Sequence, residues 1–256
     1  HVDKNKKRID SAAWFFENIK QIRENKDAEE FERLYKQKRA KILKQDLSKE
    51  YRDYLEKDFD KDLADAIWNL KSVGKHIHLP FQSGSNRILK LMNRKYDKEE
   101  YIKKISYLRE YAEDFPISTD IIVGYADETE EEYNETLDLL KEIGFEDAYL
   151  YKYSEREGSI AFKKKVKYDE KIGSERLTKL VNFQRILSQE LLNKQVGKKA
   201  EIMIDDIAKD NMHYQCRSKE NRLILVKKDR ELNMGDIYKC EITEIKNHTL
   251  IGKIIQ

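Results

Sequence analysis

The sequence predicts an α/β fold with parallel strands, followed by a small antiparallel β-barrel. The first observation is a repeated unit in which an apolar run ends in a polar turn and a helical pattern begins. This unit occurs at three places: 78–96, 119–129 and 149–159. The second observation is a change of pattern near residue 197, after which five short strand candidates follow without a helix between them. Strands that alternate with helices form parallel sheets through right-handed crossovers, whereas short consecutive strands form small barrels.

The composition predicts a soluble, cytoplasmic protein. No run approaches the roughly 18 apolar residues that a membrane helix needs, and no secretory segment opens the chain. Among 256 residues, 51 basic and 49 acidic side chains leave a net charge of +2, so net charge alone does not indicate a nucleic-acid partner. Two cysteines exclude a disulfide framework. Because the first residue is His1 rather than Met, we read the sequence as a processed, tagged or excised piece.

Residues 1–55 form a charged segment whose role the pattern does not define. Apolar residues at helical spacing, such as Trp14, Phe15 and Ile19, mark amphipathic stretches in it. The pattern favours a helical hairpin packed on the body over a solvated arm. The segment contains no catalytic pattern.

Residues 56–196 are predicted to form the α/β region. A short helix precedes a strand at 75–81, and a second strand is expected at 118–123. Capping boxes, Asp97 with Glu100 and Thr129 with Glu132, begin the helices on either side of that second strand, and Gly144 ends the later one. A long helix is then expected from about residue 170 to residue 196. Its inward side is expected to consist of Leu177, Leu180, Val181, Gln184, Leu187 and Leu191.

Residues 197–256 are predicted to form the barrel, with the domain boundary at Val196 and Gly197. Its strands are expected at 200–205, 212–218, 223–227, 237–244 and 249–255. About 60 residues with five strands are typical of a small antiparallel barrel, an architecture often used to hold RNA.

Three motifs together resemble one family. The chain contains HLPFQSGSNRILKLMNRKY, STDIIVGYADETEEEYNETLDLL and YKYSEREGSIAF. In this order and spacing they are similar to the second half of the radical S-adenosylmethionine (SAM) core of tRNA methylthiotransferases. Residues 197–256 resemble the OB-like, RNA-binding TRAM domain that follows this core. The resemblance covers about residues 57–256 and implies a partial (βα) barrel of the radical-SAM type.

The resemblance also implies a reaction, cofactors and a partner. In the family, a [4Fe-4S] cluster reductively cleaves SAM, the resulting radical abstracts hydrogen from C2 of an adenine, and a methylthio group replaces it. The Gln82-Ser83-Gly84-Ser85 turn favours the branch that modifies isopentenyladenosine beside the anticodon of tRNA, while the branch that acts on threonylcarbamoyladenosine stays open. The implied cofactor-binding residues are Gln82, Ser83, Ser85, Asp120, Gly124, Glu128 and Arg156.

The chain departs from the family in its cluster ligands. The family's core opens with Cys-x-x-x-Cys-x-x-Cys, whose thiolates hold the cluster, and this sequence has no such motif. Cys216 and Cys240 lie on predicted barrel strands and are interpreted as buried apolar residues. His76 and His78 alternate along one strand, but no third ligand accompanies them, so no metal site is expected there.

A second departure follows Gly124. The family reads Phe-Pro-Gly-Glu-Thr there, whereas this chain places Asp127 at the glycine position and so adds a side chain and a charge to the expected nucleoside loop. Taken with the missing cysteines, this leads us to expect that the 256 residues alone are inactive and that an N-terminal part of the enzyme is a further partner. The alternatives are a non-catalytic RNA-binding module and a protein-interaction domain that uses the N-terminal helices.

Several predicted site residues also have a structural interpretation. Ser85 is a natural N-cap for the next helix, and Glu128 can serve a helix N-terminus. Asp120 interrupts an apolar strand, so it is either a site residue or the partner of a basic group such as Arg94. Arg156 follows a strand end and is either an anion ligand or a surface residue.

In the barrel, some residues have side chains suited to stack on RNA bases or to neutralise phosphates. The predicted RNA-binding residues are His213, Tyr214, Arg217, Arg222 and Lys227.

Overall fold

The computed structural model describes residues 59–70, 73–125, 127–154 and 169–255. The segment 1–55 with its predicted helical hairpin, and Arg156, lie outside these residues. The described residues fall into two compact units, one within His1–Val73 and Arg94–Glu113 and the other within Gly74–Asn93 and Asp114–Gln256. In the described part of the chain, no helix is long and apolar enough to cross a membrane.

The described elements follow one another in the order that the sequence predicts. They are α1 (Lys61–Asn69), β1 (Ile77–His78), α2 (Asn86–Leu91), α3 (Lys98–Arg109), β2 (Ile117–Val123), α4 (Glu130–Ile143), β3 (Asp147–Lys152), α5 (Glu170–Asn193), β4 (Lys199–Ile207), β5 (His213–Ser218), β6 (Leu223–Lys227), β7 (Ile237–Lys246) and β8 (Thr249–Ile254).

The first unit contains α1 and α3. The Asp60 carboxylate caps α1 by accepting from the backbone N–H of Leu63 at 3.0 Å. The predicted capping box of Asp97 and Glu100 is present at the start of α3. Trp68 of α1 stacks on Tyr111 with ring centroids 5.5 Å apart.

The second unit begins with a parallel sheet in the order β1-β2-β3. The first strand is shorter than predicted, since only Ile77–His78 has regular strand geometry. Regular pairing stops because the Phe81 N–H donates to the Thr119 hydroxyl at 2.8 Å and not to a backbone carbonyl of β2. The chain pairs once more where Gln82, with a φ of 71°, forms an isolated bridge to Ile121.

Helix α4 has the ends that the sequence predicts. Thr129 and Glu132 form the capping box, and Gly144 ends the helix with a φ of 67°, which glycine adopts without strain. Tyr133, Leu139 and Leu140 are buried on its inward side.

The inward side of α5 differs from the prediction. Leu180 and Gln184 are buried as predicted, but Val181 is 46% exposed, and Arg176, which was not predicted there, is buried. The three buried positions lie four residues apart and so share one helix face. The two polar side chains can be buried because they form hydrogen bonds. The Gln184 side-chain amide, for example, donates to the carbonyl of Phe145 at 2.9 Å.

The C-terminal strands form the predicted barrel, closed in the order β4-β5-β6-β8-β7; its pairings are antiparallel as predicted, except that β6 and β8 run parallel. All five strands overlap their predicted ranges. Their inward residues form one apolar core that includes Ile202, Cys216, Ile224, Cys240 and Leu250.

The barrel is joined to the sheet at the N-terminal ends of the parallel strands. Arg222 donates to Glu146, just before β3, at 2.8 Å, and both side chains are largely buried. Lys198 pairs with Asp114, just before β2, at 2.7 Å. These contacts leave the C-terminal ends of the strands, where α/β proteins place their ligands, away from the barrel.

Candidate functional site

The polar turn after β1 and the loop after β2 are held together by Glu132. Its carboxylate accepts from Arg87 Nε and Nη2, both at 2.7 Å, and from the Ser85 hydroxyl at 2.9 Å. It also accepts from the backbone N–H of Thr129 at 2.9 Å. The hydrogen bonds from Arg87, despite the opposing effect of burial, lower the pKa of Glu132 to about 2. The carboxylate is therefore ionised at neutral pH and joins the two segments.

Asp127 belongs to the same network, which we call the Arg87 clamp: Arg87, Asp127 and Glu132. Arg87 Nη1 donates to the Asp127 carboxylate and Nη2 to the Asp127 carbonyl, each at 3.0 Å. Asp127 has a φ of 58°, so the loop keeps a left-handed conformation that suits glycine and that aspartate also tolerates. The side chain that replaces the family's glycine is thus bound to Arg87.

Gly124 and Glu128 hold the loop against α5. A Cβ on Gly124 would lie 2.6 Å from the Cα of Gly173, so the glycine is required by helix packing. The Gly124 N–H donates to Glu128 Oε2 at 2.8 Å, and Arg176 Nη1 donates to the same oxygen at 2.8 Å. Burial raises the pKa of Glu128 against the opposing effects of these partners. Glu128 is therefore held by the Gly124 N–H and the Arg176 guanidinium, and not at the helix N-terminus that the sequence offered as its alternative; its Oε1 is buried without a hydrogen-bond partner.

Ser83 and Ser85 lie inside the turn. Ser85 is the N-cap of α2, and its hydroxyl accepts from the Ile88 N–H at 3.4 Å. The Ser83 hydroxyl accepts from the Ser85 N–H at 3.3 Å. Both residues are buried, as is Gln82. The hydrogen bonds of the two serines shape the turn and so support their structural interpretation.

Asp120 lies on the open face of the sheet, beside a histidine. The nearest carboxylate oxygen is 3.4 Å from His78 Nε2, and His78 Nδ1 is 3.0 Å from the Ser118 hydroxyl. The edge of the His78 ring contacts Tyr149 with centroids 5.6 Å apart. Burial and the nearby Asp120 carboxylate raise the pKa of Tyr151. The four residues His78, Asp120, Tyr149 and Tyr151 form one group, which we call the open-face cluster.

Sequence reasoning identified Asp120 in this cluster but missed the two tyrosines. Tyr149 is 56% exposed and Tyr151 is 50% exposed. The available signal was their spacing of two in a strand, which places both side chains on one face.

The predicted RNA-binding residues divide into two groups. Tyr214 is in the barrel core, where its hydroxyl donates to the carbonyl of Arg230 at 3.1 Å, and Arg222 is paired with Glu146. Neither side chain is available to contact RNA, because each is largely buried and hydrogen-bonded to another residue of the protein. By contrast, Lys227 is exposed, and His213, its cross-strand neighbour, is partly exposed and 2.7 Å from Asp210.

Arg217 has an intermediate position. Its side chain is 26% exposed, lies 3.8 Å from Asp205 and donates to the carbonyl of Asn221 at 3.1 Å. These contacts hold it at the barrel surface.

The residues present do not fit an iron-sulfur cluster. The whole sequence contains two cysteines, fewer than the three thiolates that the family uses. Burial raises the pKa of Cys216 to about 12 and that of Cys240 to about 11, which favours the thiol over the metal-binding thiolate. Among the described residues, no group of three or more His, Cys, Asp or Glu side chains is arranged to hold a metal ion.

Comparison with known proteins identifies both regions of the chain. Residues 24–140 match the Radical SAM superfamily, and residues 193–255 match the TRAM domain. The chain therefore combines a radical SAM region with a TRAM domain, and the barrel described above is that domain.

The relatives identify the family within this class. The chain is 37% identical over 201 residues to the tRNA-2-methylthio-N(6)-dimethylallyladenosine synthase of Acetivibrio thermocellus, covering 78% of this chain and 42% of the relative. It is 39% identical to the synthase of Thermoanaerobacter pseudethanolicus, with the same coverage, and 34% identical to that of Phocaeicola vulgatus over 77% of this chain and 43% of the relative. The chain belongs to the radical SAM tRNA methylthiotransferase family and spans less than half the length of these relatives.

A solved structure with local similarity is coproporphyrinogen III oxidase from Escherichia coli, described as a radical SAM enzyme. It is 18% identical, with a TM-score of 0.41 over 52% of this chain and 30% of that chain. A similarity at this score does not bear on the function.

Proposed function

We propose that this chain is the RNA-binding and nucleoside-positioning part of a tRNA methylthiotransferase and that it does not cleave SAM by itself. The observation that carries the proposal is the pairing of a complete TRAM barrel with a cysteine content too low for the cluster. Both cysteines lie in the barrel core, among the side chains that hold it together. The chain thus keeps the region that would hold RNA and lacks the thiolates that would hold the cluster, which supplies the electron for SAM cleavage.

The substrate we propose is a tRNA with an N6-modified adenosine beside the anticodon. Support comes from relatives named for the dimethylallyl form of this nucleoside and from the Gln82-Ser83-Gly84-Ser85 turn. The Arg87 clamp supports the same interpretation, because it binds the Asp127 side chain and keeps the loop in a conformation suited to glycine. SAM is proposed as the cofactor of the whole enzyme, and its contact with this chain is proposed at the turn that contains Gln82.

On the barrel, Lys227 and His213 are the proposed RNA contacts. They are cross-strand neighbours at the end of the barrel opposite to the Arg217–Leu223 pair. A cation there neutralises a phosphate and releases condensed counterions, so RNA affinity is expected to fall steeply as salt rises.

The first test is tRNA binding by the whole chain, measured by fluorescence anisotropy over a salt series. We expect binding whose log affinity falls linearly with log salt, with a shallower slope for Lys227→Gln. Lys253→Gln, also at an exposed strand position of the barrel, is the matched control. Absence of affinity at low salt contradicts the RNA-binding part of the proposal and favours the protein-interaction alternative.

The second test is iron and sulfide content after anaerobic reconstitution, together with SAM cleavage. We expect neither a stoichiometric cluster nor cleavage from these 256 residues alone. A four-iron cluster with SAM cleavage contradicts the second part of the proposal and assigns catalysis to the chain itself.

To separate the two branches of the family, binding is compared between anticodon hairpins that carry isopentenyladenosine and hairpins that carry threonylcarbamoyladenosine.

A further inference from the structure

We propose that the open-face cluster, His78, Asp120, Tyr149 and Tyr151, is a binding site for an amino-bearing purine base of RNA. The proposal rests on the proposed function, because it assumes that RNA reaches this chain. It adds three residues, His78 and the two tyrosines, that the family resemblance did not assign to cofactor binding.

The tyrosines provide a stacking surface. Tyr149 and Tyr151 are two residues apart in β3, so their side chains leave the same face of the sheet about 6.6 Å apart. The opposite face of the sheet is the one that α5 covers, where Leu180 is fully buried. Two aromatic rings that are half exposed on a parallel sheet offer π-faces to a base, and base–aromatic stacking is tolerant of sequence.

The polar pair beside the tyrosines indicates which part of a nucleotide binds. Asp120 has one oxygen near His78 Nε2, at 3.4 Å, and the Ser118 hydroxyl holds the other ring nitrogen at 3.0 Å. These contacts orient the carboxylate, whose Oδ1 makes no hydrogen bond to the residues described. A carboxylate accepts from an exocyclic amino group and repels a phosphate, so the cluster fits a base edge and not the RNA backbone.

The location agrees with this chemistry. Asp120 is the central residue of β2, with Tyr149 as its cross-strand partner, and Tyr151 pairs with Ile122, so the cluster extends toward the C-terminal end of the strands. Ligands of parallel α/β sheets bind at that end of the strands. The turn that begins at Gln82 pairs with the next residue of β2, Ile121, so the cluster is continuous with the turn.

The experiment uses the whole chain and an RNA hairpin with the sequence of an anticodon stem and loop. One version carries adenosine beside the anticodon, and a matched version has an abasic nucleotide there, with the same number of phosphates. Replacing a stacking aromatic residue by alanine typically costs about 1–3 kcal/mol per base, which corresponds to about 5- to 150-fold in affinity. We therefore expect Tyr149→Ala with Tyr151→Ala to weaken binding of the adenosine hairpin within this range and to leave the abasic hairpin unchanged.

Two further comparisons make the test specific. The conservative variant, Tyr149→Phe with Tyr151→Phe, keeps the rings and should retain the affinity of the wild type. A hairpin with purine riboside, which lacks the amino group, tests Asp120: the wild type should prefer adenosine over it by about 5-fold or more, and Asp120→Ala should lose this preference. Thermal unfolding of each variant shows whether the fold is kept.

The outcomes separate the two proposals. Equal losses for the adenosine and abasic hairpins, or no loss for either, overturn the base site while RNA binding through the barrel stands. Failure of the wild type to bind either hairpin overturns the proposed function and the base site with it. A loss confined to the adenosine hairpin, restored by phenylalanine, supports the site.

Discussion

Replacing Glu132 by glutamine is expected to destabilise the second unit by about 2–3 kcal/mol. The carboxylate is the shared acceptor of the Arg87 clamp, and two charge-assisted hydrogen bonds of 2.7 Å reach it from one guanidinium. Glutamine keeps one acceptor oxygen but turns an NH₂ group toward other donors. Removing one partner of a buried ion pair costs about 3–5 kcal/mol, and we lower this value because the Arg87 side chain is 46% exposed.

Urea unfolding at pH 7 measures this loss. With a slope of about 2 kcal/mol per molar urea, the expected loss lowers the midpoint by about 1 M. Glu131→Gln is the matched control, since Glu131 occupies the same first turn of α4 but is exposed. The control should change stability by no more than about 0.5 kcal/mol. If the two variants unfold at the same midpoint, the clamp does not stabilise the unit.

The pH dependence gives an independent check of the same residue. The pKa of Glu132 is lowered in the folded protein from 4.5 to about 2, chiefly by hydrogen bonds from Arg87. A carboxylate with a lowered pKa stabilises the fold above its unfolded pKa, and this stabilisation is lost as pH falls toward the folded value. The difference between wild type and Glu132→Gln should therefore be constant from pH 5 to 8 and shrink between about pH 4 and pH 2. A difference that does not shrink in this range would mean that the ion pair is not its cause.

Two further sets of variants and reagents test the packing. Gly124→Ala should destabilise the fold by more than about 3 kcal/mol, because the new Cβ would clash with Gly173 and because alanine is strained at a φ of 69°. Gly197→Ala has only the strain of a φ of 85°, with no atom within 4 Å of the new Cβ, and should cost about 1–2 kcal/mol. The midpoints of urea unfolding compare the two variants. Equal losses at the two glycines would contradict the close packing of α5. The thiols of Cys216 and Cys240 should not react with a disulfide reagent at pH 8 until urea unfolds the barrel, because burial raises the pKa of each. Rapid labelling of the folded protein would contradict their burial.

Local sequence signals predicted much of the fold. Both capping boxes and the left-handed end at Gly144 are set by side chains within one turn of the helix terminus, so a single sequence contains the required information. The barrel strands were similarly predictable from alternation and turns. The inward side of α5 was not, because the burial of Arg176 depends on Glu128, 48 residues away in the chain.

The site was less predictable than the fold for the same reason. Motif matching singled out Gly124 and Ser85, and the structure explains both by packing and capping. Tyr149 lies outside the quoted motifs, and Tyr151 is the first residue of one but was not assigned a role. Their interest comes from their exposure, which depends on which elements cover each face of the sheet. Asp127 shows the converse case: its departure from the family pattern is visible in the sequence, but its pairing with Arg87 is not.

The attachment of the barrel limits which of its residues can meet RNA. Arg222, next to the Leu223 that pairs with Arg217, donates to Glu146 just before β3 at 2.8 Å, so the Arg217 end of β5 faces the sheet. His213, where β5 begins, is four residues from Arg217, or about 13 Å along the strand. Lys227, paired with His213, therefore lies far from the open-face cluster. Sites separated by more than about 10 Å usually contribute independently, so the effects of Lys227→Gln and Tyr149→Ala on hairpin affinity should add in free energy within about 0.5 kcal/mol. A larger deviation in the double variant would show that the two sites are coupled through the RNA or through movement of the barrel.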